Sequence, residues 1–369
     1  MLDFIKNLKD GGKKYMKYPR VEINLNKLIH NTKQIVDLCN SHNITVAGVT
    51  KVFCAEPNIV ESYIKGGINY LADSRVENLK KMKYYKIPKI LLRIPMLSEV
   101  EDVVEYSDIS LNSEMKVIEA LSNVAVKKNK VHNIVLMVDL GDLREGYFEE
   151  DSLYKAIESV LKFSGVNLIG LGTNLSCYGG VIPEKENLNR LANIAENIEK
   201  KFKIKLDIIS GGNSSSLHLL YDNSMPDRIN NLRLGESLVL GRETAFGKKI
   251  DGTYGDVFKL VVEAIEIKEK PSRPIGKIGM DAFGKTPTFN DKGIRKRMIC
   301  AIGRQDVELS DINPVDEDII ILGGSSDHLL LDITNSRIEY TVGDKINFNI
   351  SYGAILSAMT SPYVKKVYV

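Results

Sequence analysis

The sequence lacks an excess of either charge. Its 50 Lys and Arg residues face 48 Asp and Glu residues, which leaves a formal net charge of +2 at pH 7. So small a charge creates no field strong enough to concentrate nucleic acid or a membrane surface. A small molecule is therefore the expected partner, and neither nucleic acid nor a membrane is expected.

Paired cysteines are also lacking. No C-x-x-C spacing occurs, and the four cysteines lie far apart at Cys39, Cys54, Cys177 and Cys300. This pattern argues against a disulfide framework and against a structural zinc site, so we expect no metal. It fits a protein of the reducing cytoplasm.

Long apolar runs are the third absence. No segment is long enough to span a bilayer, and the start of the chain mixes charged with apolar side chains, unlike an export signal. We expect residues 1–17 to be a leader of no assigned function. The helical spacing of Leu2, Ile5 and Leu8 leaves open a short amphipathic helix there.

The body of the chain shows two patterns in succession. From Ile44 to about Gly241, short β-branched runs such as ITVAGVT and KILLRI alternate with longer stretches of helical period. This alternation is typical of βαβ units in a parallel sheet. The run holds eight strands, which favours a closed (β/α)8 barrel of the TIM type over an open doubly wound sheet, because closure removes exposed edges.

After Gly241 the pattern changes to strands separated by turn residues, such as HLLLDI and KINFNISY. We therefore predict an α/β protein with a (β/α)8 barrel over residues 18–243, followed by a mainly β domain over residues 244–369. The early run VEINL is not needed by an eight-stranded barrel. It is a candidate to pair with the β domain.

Polar residues follow several barrel strands, where the functional groups of such barrels gather. Lys51 directly follows ITVAGVT, in apolar surroundings that favour an uncharged amine, nucleophilic toward an aldehyde. Arg144, Asn174 and Arg233 also lie near strand ends, although a single such residue is usually a solvated surface group. The SGGNSSS stretch offers hydroxyls and N–H groups to a phosphate, or is equally well a flexible loop.

In their order along the chain, these residues resemble the alanine-racemase-like, fold-type III pyridoxal-phosphate enzymes, and within that family most of all the ornithine racemases. The resemblance covers nearly the whole chain after Tyr18. It implies pyridoxal 5'-phosphate as the cofactor, isomerase activity on an amino acid, and a homodimer with shared active sites. The VTK motif implies that Lys51 carries the cofactor covalently and acts as one catalytic base.

The resemblance also implies roles for the other barrel residues. GDLREG is similar to the segment whose arginine contacts the cofactor phenol oxygen and the substrate carboxylate, here Arg144. TNL places Asn174 beneath the pyridine ring, where the family has a histidine. LRLGES implies that Arg233 faces the pyridine nitrogen. The residues implied to bind the phosphate are Asn213, Ser214, Gly235, Glu236 and Tyr352.

An arginine at the pyridine nitrogen has a chemical consequence. A guanidinium only donates hydrogen bonds and stays charged, so Arg233 would bond to an unprotonated nitrogen and hardly protonate it. The ring is then a weaker electron sink, which the resemblance associates with racemisation instead of side reactions.

Segments of the β domain resemble those that reach a partner subunit's active site. AIGRQDV and GSSDHLLLD imply positions near the substrate entrance for Arg304, Asp306, Ser326, Asp327 and His328. For Asp306, Asp327 and His328, turn capping or plain surface exposure is the competing interpretation.

The second catalytic base departs from the family pattern. The family's tyrosine falls on Phe283, which has no hydroxyl. We predict Asp281 as the second acid/base, followed by His328 and Tyr254, while a turn-holding role for Asp281 is the alternative.

Ornithine is the predicted substrate, and its side-chain amine needs an acidic partner. The candidates are Asp281, Glu236, Asp306 and Asp327. Alanine, lysine or serine would use the same chemistry. A fold-type III decarboxylase is disfavoured because no Glu-Pro-Gly-Arg-like segment is present. LADSRVENLKK resembles a stretch of non-catalytic pyridoxal-phosphate carriers, but those proteins end at the barrel.

Overall fold

The structure is a computed structural model that describes residues 17–281 and 283–369. Residues 1–16 of the predicted leader lie outside the described residues. The chain folds as two compact units. The barrel unit comprises Ile23–Phe258, Ile350–Thr360 and Tyr368–Val369, and the β unit comprises the described residues up to Glu22, Lys259–Asn349 and Ser361–Val367.

The first described elements are a strand, β1 (Arg20–Ile23), and a helix, α1 (Leu25–Asn40). Eight parallel strands then close into a barrel in chain order. They are β2 (Thr45–Val49), β3 (Tyr70–Asp73), β4 (Lys89–Leu91), β5 (Ile109–Asn112), β6 (His132–Met137), β7 (Val166–Gly172), β8 (Ile208–Ser210) and β9 (Asn231–Leu234). The ring closes where Ala47 of β2 pairs with Arg233 of β9.

Helices connect the strands, as the sequence period predicts. Those of the barrel unit after α1 are α2 (Pro57–Lys65), α3 (Val76–Lys81), α4 (Val100–Tyr106), α5 (Met115–Lys127), α6 (Glu150–Val160), α7 (Lys185–Phe202), α8 (His218–Tyr221), α9 (Glu236–Leu240) and α10 (Tyr352–Thr360). In α7, Leu188, Leu191 and Ala195 recur at helical spacing and are buried. Among the described residues, no helix combines the length and the apolar character needed to cross a membrane.

Side chains fill the barrel interior. Val49, Leu111, Val135 and Met137 are each at most 5% exposed and pack into one cluster inside the ring of strands. Burying each such side chain contributes about 1.5–3 kcal/mol. The barrel is therefore a packed core, and a ligand can bind only at one of its ends.

The β unit contains an eight-stranded sheet in which β1 takes part. Its other strands are β10 (Phe258–Pro271), β11 (Ile294–Cys300), β12 (Ile312–Pro314), β13 (Ile320–Gly324), β14 (Leu329–Asp332), β15 (Lys345–Ile350) and β16 (Lys365–Tyr368). The order is β12-β15-β10-β11-β14-β13, and β1 pairs with both β10 and β16. Strands β11 and β15 run antiparallel to β10, and strands β11 and β13 run antiparallel to β14. The barrel and the mainly β region confirm the predicted fold class.

The barrel unit extends beyond the predicted boundary at residue 243. It continues to Phe258, which is 1% exposed, and it also takes in α10 from near the end of the chain. Ala354, Ile355 and Ala358 of α10 are fully buried, and this helix packs on the short turn Lys51–Phe53 that follows β2. Burial of that apolar face attaches a distant segment to the barrel.

A buried histidine makes the barrel sensitive to acid. His132 of β6 is 3% exposed, its ring nitrogen Nε2 lies 2.8 Å from the Ser110 hydroxyl, and burial lowers its pKa from 6.5 to about 4. The unfolded chain thus binds the proton more readily, so stability is lost as the pH falls from 6.5 through about 4. We expect a loss of about 3 kcal/mol over this range from His132, because each pKa unit corresponds to about 1.4 kcal/mol.

Urea denaturation at pH 7.5 and pH 4.5 checks this prediction in the wild type and in His132→Gln. The variant should lose much less stability on acidification. An equal loss in both proteins would assign the acid sensitivity to other groups.

Candidate functional site

A cavity of about 780 Å³ opens at the carboxyl ends of the barrel strands. All the barrel residues that the resemblance assigns to the cofactor line it: Lys51, Arg144, Asn174, Asn213, Ser214, Arg233, Gly235, Glu236 and Tyr352. They come from five strand ends and from α10, separated by up to 301 positions in the chain. Barrel closure is what brings them together.

Lys51 lies at the start of the turn that follows β2, and its side chain is exposed to the cavity. The preceding residue fixes its position. The Thr50 N–H donates to the Ala72 carbonyl at 2.8 Å, and the Thr50 hydroxyl donates to the Asp73 carboxylate at 2.6 Å. Asp73 is fully buried at the end of β3, where desolvation raises its pKa while the hydrogen bonds from Thr50, Arg75 and Asn78 oppose that rise. These hydrogen bonds fix the backbone from which the Lys51 side chain extends.

Arg144 lies in a loop that two aspartates hold in shape. The Asp139 carboxylate accepts N–H bonds from Gly141 at 2.8 Å and from Leu143 at 3.2 Å. Asp142, in the same loop, bonds to the segment after β7, accepting the Tyr178 N–H at 2.9 Å and the Val181 N–H at 3.1 Å. The two aspartates of VDLGDLREG thus bond to backbone N–H groups, and they place the arginine at the cavity.

The loop closes on Gly146, which no other residue can replace without strain. Its φ is +123°, and an added Cβ would lie 2.7 Å from the Asp139 nitrogen. We expect Gly146→Ala to destabilise the protein by about 3 kcal/mol through backbone strain and overpacking. Gly141→Ala is the matched control, since its φ is +116° and an added Cβ would meet no atom within 4 Å. It should cost only about 1 kcal/mol.

Urea denaturation of the two variants separates the cost of backbone strain from the cost of overpacking. A similar loss in both variants would show that the left-handed backbone conformation, and not the close approach to Asp139, makes Gly146 necessary.

The Arg144 guanidinium has two polar neighbours at the cavity. Glu145 accepts bonds from its Nε and from one terminal nitrogen, and this carboxylate raises the pKa of Arg144. On the other side, the Asn174 amide oxygen, when turned towards the guanidinium, accepts a bond at 3.0 Å. Arg144 is thus a fixed cation with donors left to bind an anion.

Arg233 lies on β9 and is 5% exposed. It donates to the Ser210 hydroxyl and to the Thr173 carbonyl, the latter at 2.6 Å. Burial lowers its pKa to about 10, which still leaves the guanidinium charged at neutral pH. A buried cation held on two neighbouring strands can present its remaining donors to the cavity without moving.

Small residues form the cavity wall around β8 and β9. The Asn213 carboxamide oxygen accepts the Ser215 N–H at 2.8 Å, and the Ser214 hydroxyl donates to Ser237 at 3.0 Å. A Cβ on Gly235 would lie 3.2 Å from Cβ of Val49, so glycine permits the close approach of β9 to β2. The Tyr352 side chain lines the same cavity, and burial raises its pKa.

The remaining predicted site residues lie in the β unit, and each is engaged locally. The exposed Asp281 accepts the N–H bonds of Phe283 and Lys285 at 2.9 Å, which lower its pKa. Asp306 is 7% exposed and accepts the Ser361 hydroxyl at 2.6 Å.

Two further β-unit residues form a pair. The Asp327 carboxylate lies 2.9 Å from Nδ1 of His328, and it also accepts the Ser326 hydroxyl at 3.3 Å. Arg304 lies with its guanidinium carbon 4.9 Å from the centre of the Phe283 ring. Tyr254, a fallback candidate for the second base, belongs to the barrel unit and packs against His30. The substrate roles of these residues stay predictions.

Polar residues that the sequence analysis missed also line the cavity, among them Arg93, Glu145, Cys177 and Arg242. Arg93 follows the KILL run directly, so the rule of strand ends that selects Lys51 would have found it. Glu145 and Cys177 lie beyond their strand ends, and only the fold of the loops brings them in. Arg242 donates to Glu236 at 2.6 Å and 3.0 Å.

Comparisons with known proteins agree on one family. The family described as "Alanine racemase, N-terminal domain" matches residues 23–243. An ornithine racemase of Acetoanaerobium sticklandii is 50% identical over 349 residues, covering 95% of this chain and 99% of the relative. A lysine racemase of Thermotoga maritima is 41% identical over 355 residues, covering 96% and 99%.

Among solved structures, the alanine racemase of Bartonella henselae with covalently bound pyridoxal phosphate matches with a TM-score of 0.72 at 17% identity, covering 96% of this chain and all of that one. A closed barrel with a cavity at the carboxyl ends of its strands is typical of TIM-barrel enzymes, and this chain belongs to that class. The matches over nearly the full length then show the family: the chain belongs to the alanine racemase family and is an amino-acid racemase. The predicted resemblance is confirmed.

Proposed function

We propose that the protein interconverts L- and D-ornithine with pyridoxal 5'-phosphate bound in the barrel cavity. The observation that carries the proposal is that Lys51, Arg144 and Arg233 line one cavity. The ornithine racemase relative, at 50% identity over 95% of the chain, supports the choice of substrate. The absence of paired cysteine spacings from the sequence supports the cytoplasm as the compartment.

The cavity fits an anionic cofactor. Five cationic side chains line it, Lys51, Arg93, Arg144, Arg233 and Arg242, against the two carboxylates of Glu145 and Glu236. Such an excess of cations favours a ligand that carries a phosphate and a phenol oxygen. When bound, pyridoxal phosphate withdraws electrons from the substrate Cα and so makes its proton acidic.

Each barrel residue then has a task. Lys51 would hold the cofactor and move the Cα proton on one face of the substrate. Arg144 would bind the α-carboxylate through its charge and the terminal nitrogen that Glu145 does not bond. Arg233 would donate to the pyridine nitrogen, and the Ser214 and Tyr352 hydroxyls with the Gly235 and Glu236 N–H groups would bind the phosphate.

Inversion needs a second proton donor on the opposite face. We propose that a homodimer supplies it, with Asp281 of the partner subunit as the candidate group. The likeness of the β-unit segments to those that reach a partner's active site supports this part of the proposal, and it assigns Asp306, Ser326, Asp327 and His328 to the substrate entrance.

The test is the optical rotation of L-ornithine incubated with purified protein and pyridoxal phosphate, beside L-lysine and L-alanine. We expect the ornithine rotation to fall to zero fastest. The same reaction in D₂O should place deuterium at Cα, which a non-catalytic carrier would not do. Loss of carboxylate as CO₂ would instead identify a decarboxylase, and faster loss of rotation with lysine or alanine would reassign the substrate.

A further inference from the structure

We propose that Glu145 binds the side-chain ammonium of the substrate, so that the cavity selects amino acids with a second, terminal amino group. The inference rests on the proposed function and deepens it, because it names the residue that distinguishes ornithine from alanine. It adds a residue that the sequence analysis did not consider among the acidic partners of the amine.

The acidic lining of the cavity is sparse. Among the residues that the structure describes, the carboxylates that line it are those of Glu145 and Glu236. The Glu145 side chain is only 16% exposed. A carboxylate so poorly solvated interacts with a cation more strongly than one on the surface, because less water screens the pair.

Glu145 keeps acceptor capacity after it has bound Arg144. A carboxylate has about four lone-pair sites. The fork of the Arg144 guanidinium takes one site on each oxygen, through Nε and one terminal nitrogen. The other site on each oxygen is available to an ammonium group.

The pair also matches the shape of the substrate. Arg144 and Glu145 are neighbours that present a cation and an anion at one wall of the cavity. A diamino acid presents the opposite charges, an α-carboxylate and a terminal ammonium, at the two ends of a short flexible chain. With its carboxylate on Arg144, its ammonium can turn back to Glu145. Alanine has no such group and gains nothing from Glu145.

Glu236 is the weaker candidate. It accepts two bonds from Arg242, and it begins α9, where the proposed function places the cofactor phosphate. An ammonium there would compete with Arg242 for the Glu236 carboxylate. Asp73 is also excluded as a direct partner, because it is fully buried and its oxygens accept bonds from Thr50, Arg75 and Asn78.

The test compares two ligands that cannot be racemised, 5-aminopentanoate and pentanoate, which differ only in the terminal ammonium. The holoenzyme is first reduced with borohydride so that the cofactor cannot react with the probe, and binding is measured by calorimetry. We expect the wild type to bind 5-aminopentanoate at least tenfold more tightly than pentanoate. Glu145→Gln should lose this preference and bind pentanoate as the wild type does.

Two further variants sharpen the comparison. Glu149→Gln makes the same charge change at an exposed position in the same segment, and it should keep the preference. Glu236→Gln should keep it as well. Loss of the preference in Glu236→Gln together with its retention in Glu145→Gln would overturn the proposal and move the site to Glu236.

Kinetics separate specificity from positioning. Glu145→Gln should lower kcat/KM for ornithine at least tenfold while that for alanine changes little. An equal loss for both substrates would mean that Glu145 only orients Arg144, and would overturn the proposal. If the wild type racemises no amino acid, the proposed function fails, but the calorimetric preference still decides whether Glu145 recognises an ammonium.

Discussion

Lys51→Ala is expected to reduce racemisation of ornithine by about 10⁴-fold or more. The substitution removes both the group that holds the cofactor and the base that moves the Cα proton, and acid–base catalysis alone is worth about 10²–10⁴. Neither chain neighbour of Lys51 can replace its amine, because Thr50 and Val52 are both buried. Optical rotation of L-ornithine gives the rate.

A second measurement distinguishes the loss of the Lys51 amine from misfolding of the variant. Borohydride treatment of the holoenzyme should add the mass of the reduced cofactor to the peptide that contains Lys51, and Lys51→Ala should show no such adduct. Lys65→Ala, at an exposed position on α2, is the control and should keep both the rate and the adduct. An adduct on another lysine of the wild type would contradict the assignment.

Arg144→Gln is expected to lower kcat/KM for ornithine by about 10²–10³-fold. The change removes the cation proposed to bind the substrate carboxylate, and it leaves the Glu145 carboxylate without its partner. Truncating one member of such a charge pair costs about 2–5 kcal/mol. Steady-state kinetics with L- and D-ornithine measure the effect.

The substitution by lysine tests the geometry of the same contact. Arg144→Lys keeps the charge but not the planar fork, so we expect a loss smaller than that of glutamine and still about tenfold. Cofactor content, read from absorbance, should stay near that of the wild type in both variants. Equal rates for Arg144→Gln and the wild type would remove Arg144 from the substrate site.

Much of the fold could be predicted from the sequence because hydrophobic period is a local signal. Runs such as ITVAGVT and KILLRI are too short and too apolar for surface helices, and their alternation with helical stretches specifies βαβ units. Closure into a barrel follows from the number of strands and the cost of exposed edges. Lys51 and Arg233 could be predicted because Lys51 follows the end of a barrel strand and Arg233 lies on one. The barrel topology fixes where these strands end.

The rest of the site depends on contacts that no local pattern carries. Glu145 enters the cavity because Asp139, Asp142 and Gly146 shape its loop. Cys177 does so because its segment bonds to Asp142, more than 30 positions earlier. Such loop geometry follows from tertiary hydrogen bonds, so the sequence alone assigned no role to the two aspartates or to Glu145.

The return of α10 to the barrel has a consequence for how the protein is made. A ribosome releases the chain from its amino terminus, yet the helix that carries Tyr352 and packs on the Lys51–Phe53 turn is synthesised only after the whole of Lys259–Asn349. The nascent barrel must therefore keep that apolar patch uncovered until Tyr352–Thr360 has been synthesised. In a protein truncated after Phe258, the apolar surface that α10 covers would stay exposed to solvent. We therefore expect the isolated barrel to aggregate.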